Sequence, residues 1–335
     1  MTSRVTMRDV AREVGVSPMT VSRALRGDGT VSQRTRDTIR AAASRLGYVY
    51  DTTAQAFRAQ KSGFVAVTLP SIDNANFAAT HRGLTETLAQ TGLQVLLGST
   101  NYSVEEEERI VRQLLERKPE ALILTGGNHS QGTRELLSAR DIPVVEMWDL
   151  PADPIGHTVG FSNADVMAGV VDQLAASGRR RFAFLGAEGD SDRRGAERCR
   201  GVSEAADRQG LGPVDVISIG PAPVSMTEGA RAVDALGARI ADYDALICVS
   251  DTVAFGALSA CQRRGVVVPD DLAITGFGAF EIAAVAYPAL TTVDVFAFDI
   301  GVAAGNTISR VLAGEAGDSP LKIETGYQLR QGGTS

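Results

Sequence analysis

From Gly63 onward, short apolar runs alternate with amphipathic, helix-compatible stretches, and this alternation restricts the fold more than any other feature of the chain. FVAVTL, LQVLLG, EALILTG and IPVVEM form a first block, and HTVGF, RRFAFLG, VDVISIG, DALICVS and LAITGF form a second. Near-continuous apolar strands separated by helices imply parallel sheets covered on both faces. Two successive blocks imply two lobes. The 335-residue length also exceeds the roughly 100–200 residues of a typical domain, so at least two folding units are expected.

The segment before Gly63 follows a different period. Thr6-Met7-Arg8-Asp9 has the spacing of a capping box, and Val10 and Val14 then recur on one helical face until Gly15 ends the helix. Ser17 is expected to cap a second helix with Pro18 in its first position, where the missing N–H costs nothing. Val21 and Leu25 face inward. A third helix is expected from Ser32 to Leu46, with Ile39, Ala42, Ala43 and Leu46 as its apolar stripe and Gly47 as its stop. Helix, turn and capped second helix is the arrangement that places a helix in the DNA major groove. Residues 51–60, DTTAQAFRAQ, read as a linker with conditional helix.

Charge separates along the same boundary. Residues 1–62 hold 11 Lys and Arg against 5 Asp and Glu, a net +6; the whole chain holds 33 against 40, which leaves 22 against 35, or −13, for residues 63–335. A small basic head on a large acidic body points to a polyanion-binding module carried by a domain that does not itself bind nucleic acid. Cys199, Cys248 and Cys261 form no CxxC pair, so reduced thiols are expected. His81, His129 and His157 have no metal-ligand spacing, and neither a metal nor a cofactor is expected. The chain shows no signal-peptide core and no apolar run of about 20 residues, and a cytoplasmic location is expected.

Other functions share this alternation. A dinucleotide-dependent oxidoreductase would need a GxGxxG turn between strand and helix, but GFGAFE breaks that spacing; P-loop and GxSxG signatures are also missing from the sequence. A solute-binding protein would share the two-lobed body but would need a secretion signal and no basic head. A regulator, not an enzyme, is expected.

MRDVAREVGVSPMTVSRAL followed by VSQRTRDTIRAAASRLGY resembles the head of the LacI/GalR family of transcriptional regulators. IPVVEMWD, VGFSN, CVSDTVAFGAL, VPDDLAITGF and YPALTTV continue the resemblance in order and approximate spacing, so it covers nearly the whole chain. It implies a small all-α helix-turn-helix head (1–50), a hinge (51–62) and an α/β, two-lobed, periplasmic-binding-protein-like body with parallel sheets (63–335). The first lobe is expected at about 63–161 and 292–322, the second at about 162–291 and 323–335. Pro18, Met19 and Arg23 then sit where such repressors read base edges. Arg23 can offer a fork to guanine, whereas Pro18 and Met19 offer only apolar contact. Thr20 and Ser22 suit phosphate contacts, and Thr6 and Ser17 are expected among the DNA-binding residues as well. Ala54 and Phe57 fall on the hinge, where Phe57 either enters the minor groove as a wedge or packs on the body. Tyr50 and Phe57 depart from the family's usual proline and leucine.

The resemblance also implies an effector in the cleft between the lobes. Residues just beyond the strands' carboxyl ends are the candidates: Ser71, Asn76, Phe77, Thr125, His129, Trp148, Asp149, Arg198, Ser250, Asp251 and Gly278. Arg198 matches a family arginine that binds effector oxygens, while Arg193, Arg194 and Arg200 read as an exposed basic face. Trp148 either stacks on a sugar or fills the core, and Asp251 either binds effector or caps a helix. Gly278 and Ala279 stand where sugar-binding relatives carry an acidic residue. With IPVVEMWD and GFGAFEI, this makes the chain similar to the gluconate-repressor subgroup, whose effectors are sugar acids. A homodimer on a pseudo-palindromic operator in double-stranded DNA is expected, released allosterically by the effector, and no heptad tail suggests a tetramer.

Overall fold

The computed structural model describes residues 5–50, 62–187, 192–317 and 319–335. The chain divides into two compact units, Met1–Ser62 and Gly63–Ser335.

In the first unit, α1 (Met7–Val14), α2 (Pro18–Leu25) and α3 (Gln33–Leu46) enclose Val10, Ala11, Val21, Ala24, Val31, Ile39, Ala42 and Ala43. The helix starts are fixed by side chains. The Thr6 hydroxyl and amide both donate to the Asp9 carboxylate, at 2.6 and 2.9 Å, and the amide of Thr20 donates to the Ser17 hydroxyl at 3.1 Å. Gly15 closes α1 at φ 73°, a left-handed conformation that other residues adopt at a cost.

The second unit has two lobes. The first is a parallel six-stranded sheet in the order β11-β5-β4-β3-β1-β2. Its strands are β1 (Phe64–Leu69), β2 (Gln94–Ser99), β3 (Ala121–Thr125), β4 (Val144–Met147), β5 (His157–Gly160) and β11 (Lys322–Glu324). Its helices are α4 (Ala75–Ala89), α5 (Val104–Glu116), α6 (Gln131–Ser138) and α12 (Ala297–Leu312). Alternate residues of a strand point to opposite faces, and the burial follows that rule. Val65, Val67, Leu69, Ile123, Val145 and Met147 join the core of α4 and α12, whereas Ala66, Leu122, Leu124 and Val144 pack with α5 and α6.

The second lobe is a parallel four-stranded sheet, β7-β6-β8-β9, made of β6 (Phe182–Gly186), β7 (Asp215–Ser218), β8 (Ala245–Cys248) and β9 (Ala273–Thr275). Helices α7 (Asn163–Ala176), α8 (Arg193–Arg208), α9 (Met226–Leu236) and α10 (Asp251–Arg263) cover it, with the short α11 (Glu281–Val285) beyond. α7 packs on α8 and α9 on α10. An antiparallel pair, β10 (Thr292–Asp294) with β12 (Gln328–Arg330), adjoins this sheet: the Gly276 and Gly278 amides donate to the carbonyls of Thr291 and Val293.

Two lobe boundaries differ from expectation. Residues 292–294 stand with the second lobe, not the first, and residues 323–324 pair with β5 of the first lobe, not the second. IETGYQL, read as one strand-like segment, is divided between two sheets at Gly326, φ 71°.

Candidate functional site

The outward face of α2 carries the head's predicted base readers. Pro18, Met19 and Arg23 are exposed, because Val21 and Ala24 of the same helix are drawn into the three-helix core. An unsupported methionine 60 % exposed is an apolar contact presented to solvent. Thr6, Ser17, Thr20 and Ser22 are each engaged within the head. The Ser17 and Thr20 hydroxyls are 2.9 Å apart, and Ser22 Oγ lies 3.3 Å from the Tyr50 hydroxyl. Ala54 and Phe57 lie outside the described residues.

In the body, the carboxyl ends of the strands open onto a cavity of about 370 Å³, within the range of small-molecule sites. Ser71, Asn76, Phe77, Trp148, Arg198 and Ser250 line it, six of the eleven predicted contacts. A neighbouring cavity of about 360 Å³ is lined by Thr125 and Asp149, and Tyr102, Asp192 and Arg194 belong to both walls. Four aromatic rings run across the cleft: Phe77 to Trp148 (centroids 5.3 Å), Trp148 to Phe161 (6.0 Å) and Phe161 to Phe277 (6.1 Å). A guanidinium sits on each end ring, Arg194 5.2 Å from the centroid of Phe77 and Arg198 3.6 Å from that of Phe277. Trp148 reaches this row from a left-handed backbone, φ 74°, immediately after β4. Such strain costs about 1–3 kcal/mol and persists where surrounding structure enforces it.

Arg198 is held inside the second lobe. Its Nε donates to Asn163 Oδ1 and its Nη1 to the Val249 carbonyl, both at 3.0 Å. Burial lowers its pKa to about 10, which leaves it cationic at neutral pH. Neither Arg194 nor Arg198 forms an ion pair among the described residues, although each is only 8 % exposed. The cleft wall therefore holds two desolvated cations whose charge is not neutralised by contact. Burial pushes the carboxyl of Asp149 upward, and the Tyr102 phenol likewise.

Three predicted contacts are on neither wall. His129 is buried between carboxylates, Nδ1 2.6 Å from Glu107 and Nε2 3.3 Å from Glu146. Asp251 is fully buried at the start of α10, where its carboxylate accepts from the Phe280 amide (2.7 Å) and the Thr292 hydroxyl (2.5 Å). It is not the helix cap either: Ser250 Oγ accepts from the Val253 amide. Gly278 acts through what it lacks, since a Cβ there would lie 2.5 Å from the Phe280 ring and 2.9 Å from Asn76 Nδ2.

Sequence reasoning passed over Tyr102, Asp192, Arg194 and Phe280. Tyr102 follows β2 and obeys the strand-end rule already applied elsewhere. Arg194 sits one helical turn before Arg198, a spacing that places both on one face. The expected exposed basic face belongs instead to Arg193 and Arg200; Arg200 is clasped by Glu197 and Glu204.

Residues 6–51, which span the three-helix head, match the model of bacterial regulatory proteins of the lacI family. Residues 171–335 match the periplasmic binding protein-like domain. The HTH-type transcriptional regulator GntR of Pseudomonas aeruginosa is 35% identical over 329 residues, covering 98% of this chain and 95% of the relative. The chain belongs to the lacI family. It is a DNA-binding transcriptional regulator of that family, similar to GntR-type members along its whole length. The regulator of the same name from Escherichia coli is 31% identical over 99% of this chain and 98% of its own. A LacI-family transcriptional regulator from Silicibacter pomeroyi superposes with a TM-score of 0.91 at 31% identity, over 98% of this chain and 99% of that one. These relatives are regulators, and no helix among the described residues is long and apolar enough to cross a membrane.

Proposed function

We propose that this lacI-family regulator is a repressor of sugar-acid catabolic genes, and that a gluconate-like hexonate bound in the cleft releases it from its operator. The carrying observation is the pair of buried arginines that face one cavity without an ion-pair partner among the described residues. Asp192 and Asp149 act on these arginines only through space, and a neutral sugar would leave both guanidinium groups without a carboxylate in contact, which is costly for a buried cation. A carboxylate compensates one of them, and hydroxyls suit the remaining polar wall of Asn76, Ser71 and Ser250.

Arg23, with Pro18 and Met19, reads the operator half-site, and the body makes a two-fold contact through apolar surface that includes Val285 and Tyr287, 72% and 88% exposed. Effector binding shifts the equilibrium between lobe arrangements and so changes operator affinity; coupling of this kind is typically about 1–3 kcal/mol and reciprocal.

Thermal shift against D-gluconate, neutral hexoses, hexose phosphates and purines tests the effector class, because a ligand that binds the native state raises Tm. Stabilisation by gluconate, with weakened operator binding at fixed salt, is the expected result. Stabilisation by a neutral sugar or purine instead would overturn the sugar-acid reading.

A further inference from the structure

Arg194 and Arg198 lie one turn apart on α8, and both are 8 % exposed, yet the protein holds them differently. Arg198 spends two edges of its guanidinium on the second lobe, on Asn163 and the Val249 carbonyl, and lays its face on Phe277. Its Nη2 alone has no such partner among the described residues. Arg194 makes no hydrogen bond and no ion pair among the described residues. Its guanidinium leaves the second lobe and reaches the first: it lies over Phe77 of α4, and its Nη1 is 3.4 Å from where a Cβ on Gly126, after β3, would stand. It is also one of three residues that line both cavities.

We propose that Arg194 is the residue that selects an acid over the corresponding alcohol, by receiving the ligand carboxylate at the junction of the two cavities. This rests on the sugar-acid reading above. A guanidinium presents parallel N–H donors matched to a carboxylate, and Arg194 has that fork unspent whereas Arg198 does not. The polyol chain then extends along the aromatic row toward Arg198 Nη2, Asn76 and Ser250. Asp192, on both walls, is an acceptor for the ligand hydroxyls nearest the carboxylate, and the Arg194 fork has to outweigh its repulsion of that carboxylate. Since Arg194 springs from one lobe and lies against the other, a carboxylate bound to it touches both, and its charge bears directly on lobe closure.

The test is calorimetry on the full chain with D-gluconate and D-glucitol, which has CH2OH in place of the carboxylate, for the natural protein and for Arg194→Gln, Arg194→Lys and Arg198→Lys. The natural protein should bind gluconate at least about 30-fold more tightly than glucitol. Arg194→Gln should bring gluconate down to the glucitol level, and Arg194→Lys, which keeps the charge without the fork, should fall between. Arg198→Lys should keep the preference. Ligand-free Arg194→Gln should melt no lower than the natural protein, because it removes a buried charge that has no ion-pair contact among the described residues. A loss of less than about tenfold in Arg194→Gln, a lowered ligand-free Tm, or loss of the preference in Arg198→Lys instead would overturn the assignment and leave the sugar-acid reading standing. Equal binding of gluconate and glucitol by the natural protein would overturn that reading itself.

Discussion

The indole N–H of Trp148 donates to the hydroxyl of Thr80 at 3.2 Å, and that hydroxyl is 2.8 Å from the Ala297 carbonyl and 2.9 Å from that of Asn76. One buried oxygen thus ties a cavity-wall residue to α4 and to the first residue of α12, the helix that follows β10. Trp148 is the only tryptophan of the chain, so its fluorescence reports on the cleft alone. Ligand binding should shift its emission. Thr80→Val should cost about 1–3 kcal/mol in urea unfolding, since the indole N–H is left buried without an acceptor.

His129 gives the body an alkaline limit. Burial alone would lower its pKa, but hydrogen bonds and charge from Glu107 and Glu146 outweigh burial and raise it from 6.5 to about 9. A raised folded pKa means that the contribution is fully present below the unfolded value and is lost as pH rises through the folded one. Stability should therefore fall between about pH 6.5 and 9, by at most roughly 3 kcal/mol. Urea midpoints of the natural protein and of His129→Gln across this window measure it; the variant should be less stable at pH 6.5 and lack this slope. An equal slope in both would assign the titration elsewhere.

α4 and α12 pack closely because both are glycine at their contact. A Cβ on Gly301 would lie 2.1 Å from the Thr80 carbonyl oxygen, and one on Gly83 would lie 2.3 Å from that of Phe298. The obstacle is backbone in both cases and cannot rotate away. Gly301→Ala should destabilise the body by about 3 kcal/mol or more and lower Tm accordingly.

Ile39 is fully buried in the head, a unit with its own core. Ile39→Ala should cost about 2–5 kcal/mol, enough to unfold a domain this small. Operator binding should be lost while the ligand-induced rise in Tm persists. Loss of both would show that the two units fold as one.

Removing the Tyr287 side chain's apolar surface should act on assembly alone. Tyr287→Asp should convert a dimer to a monomer in light scattering without lowering ligand affinity, and an unchanged mass would place the two-fold contact elsewhere.

The head, the alternation of strands and helices, and the row of strand-end residues on the first cavity were legible in the sequence because they rest on local rules. Capping at Thr6 and Ser17, the 3.6-residue period of α1–α3 and the near-continuous apolar runs of β1, β3 and β4 are properties of a few neighbouring residues. Strand-end position pointed to Ser71, Asn76, Phe77, Trp148 and Ser250, because a parallel sheet gathers its carboxyl ends at one edge, whereas Arg198, within α8, rested also on the family resemblance. Which strand-end residue turns into the cleft is decided by partners distant in sequence. His129 is claimed by Glu107 and Glu146, Asp251 by Phe280 and Thr292, and Arg194 is directed by Phe77 across the lobes. The division of IETGYQL between two sheets is of the same kind, since β11 takes its hydrogen bonds from β5, more than a hundred residues earlier, and β12 pairs with β10, 34 to 38 residues earlier. Periodicity encodes which face of an element is buried, but the partner that satisfies a buried charge or an edge strand is fixed only when the chain has closed on itself.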